Sequence, residues 1–212
     1  YRVRIRGHSV HSSLRVSGVS AVEVAARIIT QCGQMQTRMR EAARHDGFEF
    51  PHTSIHVGRI QGGTAHNITA KDCEFLLEIR ALPGATAAEI LTELKLWCAT
   101  QVLPGMQAVA PDCFIEFDEI FDTPALDERG NTYLAQAITP LCGHSAVGRV
   151  SFGTEGGILQ GIGIPTIICG PGRIAVAHQP NECVEIEQLA QCEKFLDTLI
   201  DRLRRDPLPL AA

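Results

Sequence analysis

The 212-residue sequence has no Cys-x-x-Cys pair, although it holds eight cysteines, at positions 32, 73, 98, 113, 142, 169, 183 and 192. Irregular spacing argues against a disulfide framework as the basis of the fold, and positions such as Cys73 and Cys98 read as small buried apolar residues. No apolar run reaches the roughly 18–20 residues of a membrane span; the longest candidate is the short stretch Ile164–Cys169. Positive charge is also short: 19 Lys+Arg stand against 24 Asp+Glu, a formal net charge of −5. Neither nucleic acid nor an anionic membrane surface is therefore the expected partner, since both require a basic footprint. No signal peptide is expected, because Tyr1–Arg6 alternates arginine with apolar residues where a leader would carry an apolar core. With no initiating Met before that strand pattern, the opening reads as that of a fragment or a processed piece. What is present is ordinary for a folded protein: 45% apolar and 20% charged residues, with 19 Gly and 11 Pro. Disorder, collagen-like repeats and coiled coil are excluded, and the length fits one large domain or two small ones.

Residues 1–120 predict alternating elements. Val3 and Ile5 alternate with Arg2, Arg4 and Arg6, as in a strand with one polar face. Val22, Ala25, Ala26 and Ile29 recur at helical spacing and predict a helix from about Ser20 to Arg44, with Gly47 and Pro51 closing the region. Strands are expected around Ile55–Val57 and Cys73–Ile79. Thr86-x-x-Glu89 is a capping box opening a second helix that buries Ile90, Leu94, Trp97 and Cys98. Cys113, Ile115 and Phe117 begin a fourth strand. The order β-α-β-β-α-β is the split βαβ pattern of ferredoxin-like sandwiches. Gln61–Ala70 is longer than a tight hairpin needs, which makes it a candidate functional loop. Residues 121–212 read differently: a helix over Asp127–Leu141, a strand over Ala146–Phe152, a short helix at Gly156–Gly161 and a covered strand at Pro165–Cys169. A last helix runs from Ile186 to Arg204, with Leu189, Cys192, Leu196, Leu199 and Leu203 on one stripe. These are too few strands for a complete α/β sheet, so the segment reads as the C-terminal share of a larger domain.

Several residues could carry chemistry. His178, in Ala177–Glu182, comes after the Gly170-Pro171-Gly172 turn and reads either as a surface histidine or as a metal ligand at the carboxyl end of a strand. Gly153-Thr154-Glu155-Gly156-Gly157 reads as a plain capped turn or as an anion-binding helix start; without a lysine it is not a phosphate loop. Ser12 and Ser13 read as helix caps, and His11 beside them as a proton donor or oxyanion stabiliser. No Gly-x-Ser-x-Gly elbow supports a serine triad. Asn67 in the long loop and Arg80 on the third strand offer an amide and a guanidinium suited to a carboxylate, while Arg80 could equally sit in a cross-strand ion pair.

Taken together, five stretches in order resemble a known family: Gly7–Ser13 (GHSVHSS), Gly62–Asn67 (GGTAHN), Glu78–Gly84 (EIRALPG), Gly153–Gly157 (GTEGG) and Gly170–Glu182 (GPGRIAVAHQPNE). The sequence is similar to the co-catalytic zinc metallopeptidases, the family of acetylornithine deacetylase, succinyl-diaminopimelate desuccinylase, aminoacylase and glutamate carboxypeptidase. The resemblance implies an α+β chain. A ferredoxin-like lid that is also the dimerisation domain (1–120) precedes the C-terminal part of an α/β catalytic domain (121–212) holding two zinc or cobalt ions. It implies that His11 stabilises the tetrahedral oxyanion in the partner subunit's site, that Asn67 and Arg80 hold the substrate carboxylate, that Gly153 and Thr154 line the pocket, and that His178 is a metal ligand. Asn181 stands where the family usually has an acidic residue.

The resemblance further implies a cytoplasmic homodimer that hydrolyses the amide of a small N-acyl amino acid. N2-acetyl-L-ornithine, in arginine biosynthesis, is the first expectation; an N-succinyl or other N-acyl amino acid is the alternative. A non-enzymatic dimerisation or amino-acid-binding module is the reading from another class. The family's His-x-Asp and Glu-Glu motifs are absent from the sequence, and one ligand cannot hold a metal pair in which each ion wants about four donors. The chain as given is therefore expected to be inactive.

Overall fold

The computed structural model describes residues 1–42, 45–48, 50–143 and 147–205. These divide into two compact units, Tyr1–Asp122 and Thr123–Ala212. In the first, alternation builds an antiparallel sheet from β1 (Arg2–Arg6), β2 (Ser54–Gly62), β3 (Asp72–Arg80) and β4 (Phe114–Asp118), in the order β2-β3-β1-β4. β1 is antiparallel to both β3 and β4, with Ile5 opposite Cys73 on one side and Ile115 on the other. Val3, Ile5, Cys73, Phe75 and Leu77 all point to the helical face and are buried. Their neighbours Arg4 and Arg6 point to the open face, where Arg4 grips Asp118 through two hydrogen bonds (2.7 and 3.2 Å) and Arg6 pairs with Asp72 at 2.6 Å. This is the ferredoxin-like topology that the element order predicts.

Helix α1 (Ala21–Glu41) starts at Ser20, whose hydroxyl accepts from the Glu23 amide. Its buried stripe is Ala21, Val24, Ala25, Ile28, Cys32 and Met35, one position off the predicted Val22–Ala25–Ala26–Ile29 stripe, and Val22 is exposed. The sequence offers apolar residues at both offsets. The Ala21 amide donates to the Ala70 carbonyl (2.8 Å), which fixes the rotation of the helix on the sheet. Helix α2 (Ala87–Gln101) opens on the predicted Thr86–Glu89 capping box and buries Leu91, Leu94 and Cys98, while Ile90 and Trp97 pack partly buried at the margin. A short helix not predicted, α3 (Leu103–Val109), carries Pro104 in its first turn, where a missing amide leaves no helical hydrogen bond unmade. Burial pushes the Cys32 and Cys98 thiols up to about 11 and about 12, so both act as apolar core residues.

The second unit contains α4 (Thr132–Ile138), a 3-10 turn at Thr139–Cys142, α5 (Gly156–Gly161), a 3-10 turn at Ile174–Val176 and α6 (Ile186–Arg205). Four readings are corrected here. Asp127–Gly130 is a turn ahead of α4, held by the Asn131 side chain on the Asp127 carbonyl (2.7 Å). Residues 147–152 and Pro165–Cys169 form no strand; Ala146 lies outside the described residues. A strand needs a neighbour to accept and donate its ladder, and the described residues of this unit supply none. The α6 stripe is displaced as well: its least exposed positions are Gln188, Cys192, Phe195, Leu199 and Arg202, while Leu189, Leu196 and Leu203 are exposed. Among the described residues, no helix is long and apolar enough to cross a membrane.

Candidate functional site

One end of the sheet gathers two of the predicted motifs. Gly7–Ser13 leaves β1 at the end where β3 begins, and the 63–71 loop enters β3 there; the Gly7 amide donates to the Lys71 carbonyl at 2.6 Å. Gly7 is required by close approach, since a Cβ on it would overlap the Val19 carbonyl oxygen. Thr69 is the latch between the two segments. Its hydroxyl accepts from the Val10 amide (2.7 Å) and lies within donating reach of the His8 and Val10 carbonyls (3.1 and 3.2 Å). Sequence reasoning missed Thr69; the available signal was a small polar residue at the end of a long loop.

The latch brings His11 beside Asn67. His11 forms an isolated antiparallel bridge with Ile68, and the Ser12 amide donates to the Asn67 carbonyl at 2.9 Å. Ser12 and Ser13 do not cap α1. They belong to a 3-10 turn, Ser12–Ser17, which His11 itself caps: Nδ1 accepts from the Ser13 amide at 3.3 Å and lies 2.8 Å from the Ser13 hydroxyl. A backbone N–H can only donate, so Nδ1 is an acceptor and the neutral ring carries its proton on Nε2. The exposed His11 ring thus presents an N–H donor outward. Its orientation is set by Ser13, to which the sequence assigns only a capping role.

Arg80 lies elsewhere. It closes β3 opposite Ser54, at the end where the Leu82 amide donates to Thr53 Oγ1 (3.1 Å). Eight strand steps separate it from Asp72, about 26 Å of β3. Arg80 and Asn67 therefore cannot hold one carboxylate within a single protomer. Arg80 is exposed and pairs at 2.8 Å with Glu78, two residues back on its own strand.

In the second unit, Thr154 Oγ1 accepts from the Gly156 amide at 3.1 Å, a local turn that precedes α5. Gly153 is exposed, and Gly157 is wedged so closely on Pro124 that a Cβ would overlap its carbonyl oxygen. The last glycine of GTEGG thus serves close packing. His178 is exposed and adopts a left-handed backbone (φ 59°), as does Asn181 (φ 64°). Asn tolerates that region better than most residues, which gives Asn181 a backbone reason to stand there. Glu182 closes the loop, its carboxylate accepting from the His178 amide at 3.0 Å. Among the described residues, no three His, Cys, Asp or Glu side chains converge as a metal ion needs, so the residues described do not fit a metal pair.

A sheet of order β2-β3-β1-β4 with α1 and α2 on one face and its loops latched at one end defines the first unit as a ferredoxin-like sandwich. The family model described as a peptidase dimerisation domain matches residues 1–106, half of the chain, and the chain belongs to that family. Similarity continues beyond it. The chain is 32% identical over 194 residues to an acetylornithine deacetylase of Myxococcus xanthus, covering 92% of this chain and 50% of that protein. It is 30% identical over 203 residues to one of Yersinia pseudotuberculosis, covering 94% and 49%. The chain spans about half the length of the curated relatives it matches. Among solved structures, aminopeptidase PepT of Bacillus cereus superposes with a TM-score of 0.60 at 20% identity, over 96% of this chain and 51% of that one. A Staphylococcus aureus tripeptidase gives 0.59 at 23% identity, over 97% and 51%. At these identities the structures show a shared fold.

Proposed function

We propose that the chain is part of a metal-dependent amidohydrolase that removes the acetyl group from N2-acetyl-L-ornithine, giving L-ornithine and acetate. The observation that carries this reading is that similarity to the acetylornithine deacetylases extends over 92% of the chain, through both units, where a dimerisation module alone would need only the first. In this reading residues 1–120 are the lid and 121–212 a share of the catalytic domain. The Nε2–H of His11 donates a hydrogen bond to the oxyanion that develops when water adds to the acetyl carbonyl, and keeps its proton; such a donor is worth about 10²–10³ in kcat. Asn67 and Arg80 hold the α-carboxylate from opposite ends of β3, which calls for two protomers. In a two-fold homodimer with antiparallel sheets, the His11–Asn67 end of one copy faces the Arg80 end of the other. Gly153 and Thr154 line the pocket. His178 is one donor to zinc or cobalt, and the remaining donors are not among the described residues, so the chain alone is inactive. Eight free cysteines suit a reducing, cytoplasmic setting.

The test is hydrolysis of N-acetylornithine with added zinc or cobalt, by this chain and by one extended through its upstream codons. Activity confined to the longer chain and abolished by His178→Ala is the expected result. Activity in the short chain overturns the assignment of missing donors. If the longer chain cleaves only an N-succinyl substrate, the reaction class stands and the substrate changes. Silence toward every N-acyl amino acid leaves a binding or dimerisation module.

A further inference from the structure

In the second unit the Cys142 and Cys169 sulfurs lie 3.2 Å apart although 27 positions separate them in sequence. Cys142 ends the Thr139–Cys142 turn, and Cys169 ends the extended apolar run just before Gly170-Pro171-Gly172. Neither is sealed in a core: Cys142 is half-buried and Cys169 exposed, whereas Cys32, Cys73, Cys98 and Cys113 are all buried. We propose that Cys142 and Cys169 form a reversible disulfide, a modification site that responds to low-molecular-weight disulfides. A bond of about 2.05 Å requires the sulfurs to close by roughly 1.2 Å, a short movement for a turn end and a run that no ladder holds. The chemistry balances by exchange. One protein thiolate attacks the small disulfide and expels a small thiolate, leaving a mixed disulfide. The second protein thiol gives its proton to solvent and attacks the protein sulfur of that mixed disulfide, expelling the second small thiolate. Two protein S–H groups are lost, one S–S bond forms and the small disulfide is reduced. Partial burial, then the hydrogen bond and charge of Cys142, push the Cys169 thiol up to about 11, so Cys169 rests protonated at neutral pH.

The bond would close a loop containing Gly153 and Thr154 and tether the turn that leads to His178, so oxidation fixes the segment that bears these residues. The inference rests on the thiol geometry alone and survives failure of the substrate assignment. Its test is peptide mapping of the full chain after limiting glutathione disulfide. Trypsin places Cys142 in peptide 130–149 and Cys169 in 150–173, each with a single cysteine, while Cys183 and Cys192 share 174–194. The expected product is 130–149 joined to 150–173, with two thiols lost together, as the prevailing link in native protein but not in urea. In Cys142→Ser, Cys169 should instead retain a glutathione adduct. Separate adducts on Cys142 and Cys169 in the native wild type, or the same spread of links with and without urea, would overturn the proposal.

Discussion

At the scale of single residues, two glycines of the first unit have opposite roles. Gly7 faces the Val19 carbonyl and the Ala21 amide, both backbone and unable to yield, at the point where β1 turns into the latched end. Gly33 lies exposed in the middle of α1 with nothing within 4 Å of a Cβ. Gly7→Ala should therefore cost at least about 2 kcal/mol through forced overpacking. Gly33→Ala should gain about 0.5–1 kcal/mol by restricting the unfolded chain and favouring the helix. Urea denaturation followed by the fluorescence of the single tryptophan, Trp97, measures both. A Gly7→Ala midpoint at or above the wild type would mean that the backbone approach at Gly7 is not what the residue is for. His11 makes a related point about legibility. Its place beside two serines was plain in the sequence, but the Ser13 amide that fixes its tautomer depends on a 3-10 turn, and such short turns leave little periodicity to read.

At the scale of elements, β4 is an edge strand, tied to β1 on the open face by the Arg4–Asp118 fork. The guanidinium beside it holds the Asp118 carboxyl below its ordinary value, chiefly through the hydrogen bonds and then through charge. The folded form thus binds this proton less readily than the unfolded chain. The contribution is complete above the ordinary carboxylate range and is lost as pH falls through the depressed folded value. Asp118→Asn should consequently lower the urea midpoint by a constant amount above about pH 5 and by progressively less toward pH 2. A gap that does not narrow in acid would mean that the strand edge is held by packing rather than by this ion pair. The sheet itself was legible because period-two alternation writes its two faces into the sequence. The rotation of α1 was not: Val22, Ala25, Ala26 and Ile29 form as good a stripe as the buried one, and tertiary hydrogen bonds such as Ala21 to Ala70 and Ile55 to Gln36 separate them.

For the whole molecule, the distribution of burial is uneven. The connected core, from Val3 to Cys113, belongs entirely to the first unit, whereas Ile138 is the one buried apolar side chain among the described residues of the second, apart from the packed Gly156 and Gly157. Val147, Val150, Phe152 and Ile168 are exposed in segments that the sequence reads as strands and the structure leaves outside any ladder. That mismatch is why the second half of the sequence was harder to read. Alternation and apolar runs report a surface made to be covered, but a strand exists only with its neighbour. The uneven burial fixes the hydrogen-exchange pattern. Amides of β1, β3 and α1, under the core, should exchange only through global opening, and those of 147–152 and 165–169, which lie in no ladder, should exchange much faster, apart from Ser151 and from Thr166, whose amide donates to Asn131 Oδ1 at 2.8 Å. In the extended chain used to test the proposed hydrolase, the first set should be unchanged and the second should become protected as strands pair across the completed sheet. If 147–152 and 165–169 are already protected in this chain, or remain unprotected in an extended chain that is active, then these segments are not unpartnered sheet, and the assignment of 121–212 to a larger α/β domain falls with them.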